Sequence, residues 1–128
     1  MSVVSREQVQ LIAASLKAAG KTVVFTNGCF DILHVGHVRY LTAARNLGDC
    51  LIVGLNTDQS VRILKGPTRP VNNENDRAEV LSALSVVDYV VLFGENTACE
   101  LVDAIQPAIY VKGGDYAVAA LPEAEAVT

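Results

Sequence analysis

Short apolar runs along this chain alternate with stretches in which apolar residues recur every three or four positions. The runs at 22–26, 50–55, 89–93 and 108–111 are short and aliphatic, as is typical of strands that are covered on both faces. A capping signal at Ser5 begins a first helix that ends at Gly20. The helical period predicts further helices at about 36–47, 58–64, 74–84 and 98–105. We expect Thr57 or Asp58 to cap the helix at 58–64, Asn73 or Asn75 to cap the helix at 74–84, and Thr97 to cap the last helix.

This alternation of strands and helices indicates one α/β domain. Short turns between the elements predict a Rossmann-like, doubly wound parallel sheet with helices on both faces. A chain of 128 residues is also slightly shorter than one typical domain of about 150. Ligands of such sheets bind beyond the carboxyl ends of the strands, where the winding reverses. We therefore expect the chemistry in the loops 26–37, 56–58, 94–97 and 112–116.

Composition excludes several classes of protein. With 51% hydrophobic and 19% charged residues, the chain is too apolar for a disordered protein. Its apolar runs are far shorter than the roughly 20 residues that span a membrane, and no signal peptide opens it. Three widely spaced cysteines are typical of reduced thiols. We expect a cytoplasmic protein without a membrane segment.

The charges are unevenly distributed. A net charge of -4 disfavours a nucleic-acid partner. Between Gln59 and Asn73, however, every charged residue is basic: Arg62, Lys65 and Arg69. This basic segment indicates a small anionic ligand, with a solvated loop as the alternative.

Both histidines of the chain, His34 and His37, lie in the first loop, with Gly36 between them, where a helix is predicted to begin. A helix N-terminus offers free backbone N–H groups, and each imidazole can donate a hydrogen bond, so the combination favours phosphate binding. A structural role is one alternative. Metal ligation with Cys29 is another, but no fourth ligand is evident and no metal site is predicted.

The segment Asn27-Gly28-Cys29-Phe30-Asp31, followed by His34-x-Gly36-His37, resembles the signature of the HxGH nucleotidyltransferases, the cytidylyltransferase-like superfamily. Further segments occur in the order found in its adenylyltransferases that act on heptose 1-phosphate, and the similarity covers about residues 20–122. Those segments are Gly48-Asp49, Asn56-Thr57-Asp58, Lys65-Gly66-Pro67-Thr68-Arg69-Pro70, Arg77, Val87-Asp88 and Lys112-Gly113-Gly114-Asp115-Tyr116.

The resemblance implies the reaction of ATP with D-glycero-β-D-manno-heptose 1-phosphate to give ADP-heptose and pyrophosphate, for lipopolysaccharide core or related glycans. It also implies Mg²⁺, a homodimer and cooperation with a sugar kinase. Members usually continue for about thirty residues beyond the Gly-Gly-Asp-Tyr segment, through a Ser/Thr-rich stretch that contacts phosphate. We therefore expect residues 1–128 to form a single nucleotidyltransferase domain that lacks this C-terminal segment.

The resemblance also assigns roles to residues. Three are assigned to catalysis as electrostatic stabilisers, since a sugar phosphate is already anionic and needs no strong base: His34, His37 and Lys65. Ten are assigned to the nucleotide: Asn27, Gly28, Cys29, Phe30, Gly36, Arg77, Lys112, Gly113, Gly114 and Asp115. Four are assigned to the acceptor: Asp31, Asn56, Asp58 and Arg69.

The residues themselves leave alternatives open. Asp31 could orient a histidine, Arg69 could brace its loop, Arg77 could pair with Glu74 or Asp76, and Asp58 could cap a helix. For the whole chain, one alternative is a cytidylyltransferase that acts on glycerol phosphate or a similar alcohol phosphate. A non-catalytic nucleotide-binding regulatory module is the other.

Overall fold

The computed structural model describes residues 2–94 and 98–111. These residues contain five strands and five helices, which alternate except where α3 is followed directly by α4. In chain order they are β1 (Ser2–Val4), α1 (Arg6–Ala18), β2 (Val23–Gly28), α2 (Val35–Arg45), β3 (Cys50–Asn56), α3 (Asp58–Lys65), α4 (Glu74–Ser82), β4 (Tyr89–Phe93), α5 (Cys99–Ile105) and β5 (Ile109–Val111).

All paired strands are parallel and lie in one sheet of order β1-β4-β3-β2-β5. From β2 the chain winds outward through β3 to β4, and it then returns to place β5 on the other side of β2. The winding direction therefore reverses between β2 and β5, which places the crevice for a ligand beyond the carboxyl ends of these two strands. This arrangement confirms the predicted Rossmann-like α/β fold.

The two faces of the sheet are covered by different helices. Alternate residues of one strand point to opposite faces, so Phe25 packs with α1 and α5 while its neighbour Val24 packs with α2 and α4. Every residue of β3 is buried, as expected of a central strand that is covered on both faces. Helices α2 and α4 consequently lie on the same face of the sheet.

Polar side chains fix where the helices begin. Ser5 and Gln8 form the capping box of α1, and the side chains of Thr57 and Asn73 cap α3 and α4. Thr97, the predicted cap of the last helix, lies outside the described residues. At α5 the N-cap position is occupied by Ala98, whose side chain makes no capping bond.

The sequence pattern does not predict strand β1, which the structure shows at Ser2–Val4. It has three residues and pairs only with β4, where Val3 lies opposite Val90. So short a run at the sheet edge carries no periodicity that distinguishes it from a terminal extension.

Within residues 2–94 and 98–111, no helix is long and apolar enough to cross a membrane.

Candidate active site

The two histidines lie at the N-terminus of α2 and close it with their own side chains. His34 is the N-cap residue, and its Nδ1 accepts a hydrogen bond from the backbone N–H of Gly36 at 3.0 Å. His37, at the third helical position, accepts from the backbone N–H of His34 through its own Nδ1 at 3.2 Å. The pair forms a capping box in which imidazoles replace the usual hydroxyl and carboxylate.

This geometry determines the tautomer of both rings. A nitrogen that accepts a backbone N–H bond carries no proton, so each neutral imidazole carries its proton on Nε2. The ring centroids of His34 and His37 are 4.2 Å apart. The N-terminus of α2 thus presents two adjacent Nε2–H donors, beside the positive end of the helix dipole.

His37 is further held by Phe30. The two rings meet edge to face, with centroids 5.5 Å apart, and partial burial together with the neighbouring His34 lowers the pKa of His37 below its usual 6.5. Phe30 itself adopts a positive φ of 46°, which aims its ring at Gly28. A Cβ on Gly28 would lie 2.9 Å from that ring, so glycine is required for this packing.

Asp31 joins this loop to the segment before α4. Its buried carboxylate accepts from the backbone N–H groups of Val71 and Asn72 and from Nε of Arg69, at 2.8–2.9 Å. The side-chain amide of Asn72 in turn donates to the carbonyl of Asp31. Burial alone would raise the pKa of Asp31, but these donors together lower it below 3.8. Asp31 therefore binds protein groups in this structure, and its bonds bring Arg69 to the loop.

Arg77 is the largest fully buried side chain among the described residues. From α4 its guanidinium donates to three backbone carbonyls, those of Cys29 and Asn56 at 2.8 Å and that of Asn72 at 2.9 Å. It also donates to the carboxylate of Asp58 at 2.7 Å. One side chain therefore fixes the ends of β2 and β3 and the start of α4 relative to each other.

The partners of Arg77 differ from the two that its sequence neighbours suggested. The carboxylate of Glu74 instead accepts from the backbone N–H of Asp58, and Asp76 bonds to Asn73. The explanation of Asp58 as a cap was wrong, because Thr57 occupies the N-cap position of α3.

Two further predicted residues, Cys29 and Asn56, lie at the carboxyl ends of β2 and β3. The side chain of Asn56, the last residue of β3, is buried and donates to Ser60 at 3.2 Å. Its amide oxygen lies 3.7 Å from the thiol of Cys29. Cys29 is half-buried, and burial raises its pKa although the positive charges of Lys65 and Arg77 oppose the shift.

Lys65 is the last residue of α3 and is exposed. Gly66, whose φ of 106° few other residues adopt, ends the helix directly after it. The influence of Lys65 on Cys29 shows that its ammonium group lies within electrostatic range of the histidine loop.

Asn27, at the end of β2, accepts a hydrogen bond from the phenol of Tyr110 on β5. The histidine loop is thereby connected to the strand beside the reversal of the winding. The predicted nucleotide residues Lys112, Gly113, Gly114 and Asp115 follow directly in the sequence but lie outside the described residues.

Sequence reasoning missed the contribution of Asn72. Its backbone and side chain bind Asp31, and its carbonyl binds Arg77. No motif or period marks this position, so only its location after the Arg69-Pro70 turn could have drawn attention to it.

Residues 2–94 and 98–111 contain no group of three or more histidine, cysteine and acidic side chains that could hold a metal ion.

The arrangement suits the binding of a polyphosphate. The Nε2–H donors of His34 and His37 lie beside the N-terminus of α2, and Lys65 lies within electrostatic range of the same loop. Groups of these kinds stabilise an anion as charge develops on it. The buried bonds of Asp31 and Arg77 join the loops around this region to one another.

Comparison with known proteins gives consistent matches. The family model "Cytidylyltransferase-like" matches residues 25–127. "Bifunctional protein HldE" of Wolinella succinogenes is 60% identical over 114 residues, which are 89% of this chain and 24% of that protein. The protein of the same name in Aliarcobacter butzleri is 59% identical over 110 residues, 86% of this chain and 23% of that protein. The chain thus spans about a quarter of the length of the curated relatives it matches.

A solved structure agrees with these sequence matches. The crystal structure of the lipopolysaccharide core biosynthesis protein from Thermoplasma volcanium is 37% identical, with a TM-score of 0.68 and 83% of each chain covered. The family model covers most of the chain, including the strand that leads to the histidine loop, the loop itself and the helix that it caps. This chain belongs to the cytidylyltransferase-like family.

Proposed function

We propose that this chain is a nucleotidyltransferase that transfers the adenylyl group of ATP to D-glycero-β-D-manno-heptose 1-phosphate, giving ADP-heptose and pyrophosphate. The observation that carries the proposal is the pair of Nε2–H donors of His34 and His37 at the N-terminus of α2, beside the reversal of the winding. The similarity to proteins named bifunctional protein HldE and to a lipopolysaccharide core biosynthesis protein supports the choice of sugar.

In this reaction an oxygen of the sugar phosphate attacks the α-phosphorus of ATP in line with the leaving group. One P–O bond forms, the bond between the α-phosphorus and the bridging oxygen breaks, and pyrophosphate leaves with the bond electrons. No proton must be removed from the nucleophile, because a phosphate monoester loses its second proton near pH 6. His34 and His37 donate to phosphate oxygens, and Lys65 adds a positive charge.

In this proposal the remaining predicted residues bind the nucleotide, bind the acceptor or position the loops. Asn27, Gly28, Cys29, Phe30 and Gly36 bind the triphosphate, and Lys112, Gly113, Gly114 and Asp115 also help to hold the nucleotide.

Arg69 receives the acceptor phosphate, because its side chain is 40% exposed while its Nε is fixed by Asp31. Asp31, Asn56, Asp58 and Arg77 act through the loops that they position.

Magnesium enters as the ion bound to ATP. The described residues supply no cluster of ligands for it, and the carboxylates of Asp31 and Asp58 already bind arginines. Phosphate oxygens and water would provide most of its ligands. No step in this proposal depends on a magnesium ligand from the protein.

The same proposal includes a setting for the reaction. The cytoplasm supplies ATP and keeps Cys29, Cys50 and Cys99 in the reduced thiol form. A sugar kinase would supply the acceptor, in agreement with the word "bifunctional" in the names of the relatives. The active form would be a homodimer.

The test is steady-state release of pyrophosphate from a panel of substrate pairs. We expect turnover with ATP and heptose 1-phosphate, and at least about tenfold lower kcat/KM with CTP or with glycerol phosphate, as a site with matched polar contacts discriminates. Turnover that depends on CTP would identify a cytidylyltransferase. Tight binding of ATP without release of pyrophosphate from any pair would identify a regulatory module.

A further inference from the structure

A groove of 680 Å³ lies between the histidine loop and the outer face of α4. On one side it is lined by Phe30, Ile32 and Leu33, and on the other by Asp76, Glu79 and Val80. The helical residues are spaced so that they share one face of α4. Its volume lies within the range of about 300–1,000 Å³ that is typical of small-molecule sites.

The groove begins next to the two histidines. Leu33, which lines the groove, directly precedes His34, and Phe30, which also lines it, has its ring 5.5 Å from the ring of His37. Asp31, which also lines it, binds Arg69. A molecule in the groove would therefore have one end near the phosphate donors and the other along α4.

The surface of the groove combines two kinds of groups. Ile32 and Val80 are large apolar residues that are 55% and 51% exposed, whereas Asp76 and Glu79 contribute carboxylates from the exposed face of α4. Ionised carboxylates only accept hydrogen bonds, so they match ligands that carry several hydroxyl donors. A sugar provides such hydroxyls and also a face of C–H groups for the apolar residues.

ATP fits this groove poorly. Its triphosphate carries negative charge that the two carboxylates would repel. The crevice at the reversal of the winding lies between β2 and β5, whereas α4 precedes β4 in the chain and packs against β4, β1 and β3. The nucleotide and the contents of the groove would therefore approach the histidines from opposite sides.

We infer that this groove holds the polyhydroxyl body of an aldose 1-phosphate, whose phosphate faces His34, His37 and Arg69. The inference rests on the proposed function and adds the place of the acceptor. In it, Glu79 and Asp76 accept hydrogen bonds from sugar hydroxyls, and Ile32 and Val80 pack against the carbon skeleton.

Two variants of exposed residues test the inference. Glu79→Gln removes a charge at nearly constant size, and Val80→Trp fills the groove with an indole ring. Both should raise the KM for heptose 1-phosphate about tenfold, while the KM for ATP and the Tm change little. Glu79→Gln would weaken a hydrogen bond to a charged acceptor, whereas Val80→Trp would occupy the space of the sugar. Glu7→Gln and Leu11→Trp are matched controls on α1, on the opposite face of the sheet, and should leave both KM values unchanged.

An unchanged KM for the sugar phosphate in both variants would overturn the inference, as would an increase confined to the KM for ATP. Titration of heptose 1-phosphate into the protein, followed by NMR, separates this result from the proposed function. Sugar phosphate binding that Glu79→Gln and Val80→Trp weaken would support the groove even if the wild type released no pyrophosphate. Pyrophosphate release with no effect of either variant would support the proposed function and contradict the groove.

Discussion

Replacing Arg77 by methionine should destabilise the fold more than any other single change at the site. Methionine keeps much of the buried volume and the helix propensity, but it removes bonds to three carbonyls and to the carboxylate of Asp58. Net values of about 1 kcal/mol for each carbonyl and about 1.5–3 kcal/mol for the carboxylate sum to roughly 5 kcal/mol. Because the Asp58 side chain is 25% exposed and can regain water, we expect a loss of about 4 kcal/mol.

The assay is urea unfolding followed by circular dichroism, with the free energy of unfolding extrapolated to water. Arg62→Met is the matched control, since Arg62 is exposed on α3, and it should change the free energy by less than about 0.5 kcal/mol. Asp58→Asn, alone and with Arg77→Met, measures the coupling between the two side chains. A loss of less than about 1 kcal/mol for Arg77→Met, or no coupling with Asp58, would refute the role of this buried guanidinium.

Three further results follow from individual contacts. The pKa of Asp31 is lowered, so its contribution to stability is present above pH 3.8 and is lost as pH falls through its folded-state pKa. Asp31→Asn should therefore make the free energy of unfolding depend less steeply on pH in acid. An unaltered acid dependence would contradict this prediction. The pKa of His37 is also lowered, so folding favours its neutral form and the associated stability is lost as pH falls below 6.5. NMR titration of His37 should give a pKa below 6.5. A higher pKa would contradict the hydrogen bond that its Nδ1 accepts from the backbone of His34. Ser5→Ala removes half of the capping box of α1 and should lower the free energy of unfolding by about 1 kcal/mol. The release of pyrophosphate should not change. A change in turnover would contradict this prediction and connect α1 to the site.

Local patterns in the sequence were sufficient for most of the fold. The runs that became β2, β3, β4 and β5 are recognised by apolar residues alone, and Ser5, Thr57 and Asn73 cap helices as their residue types predict. The histidine loop was equally accessible, because its residues are close in sequence and lie at a predicted helix start. These features depend on interactions within a few residues.

The supporting contacts of the site could not be predicted in this way. Arg77 has acidic neighbours one and three positions away, but it pairs with Asp58, 19 positions earlier. The reason is that the fold brings the end of β3 and the start of α4 together. Asp31 is similarly joined to Arg69 across 38 positions. Spacing along the chain carries no signal for such pairs, and only the packed structure shows them.

The direct test of the phosphate role of the histidines is pyrophosphate release by His34→Asn. Asparagine is among the best N-cap residues, so this variant retains an acceptor for the N-terminus of α2 while it loses the Nε2–H donor. We expect the free energy of unfolding to change by less than about 0.5 kcal/mol while kcat with ATP and heptose 1-phosphate falls by about 10²–10³, the effect of removing one donor to developing negative charge. Wild-type turnover in a stably folded His34→Asn protein would contradict the account.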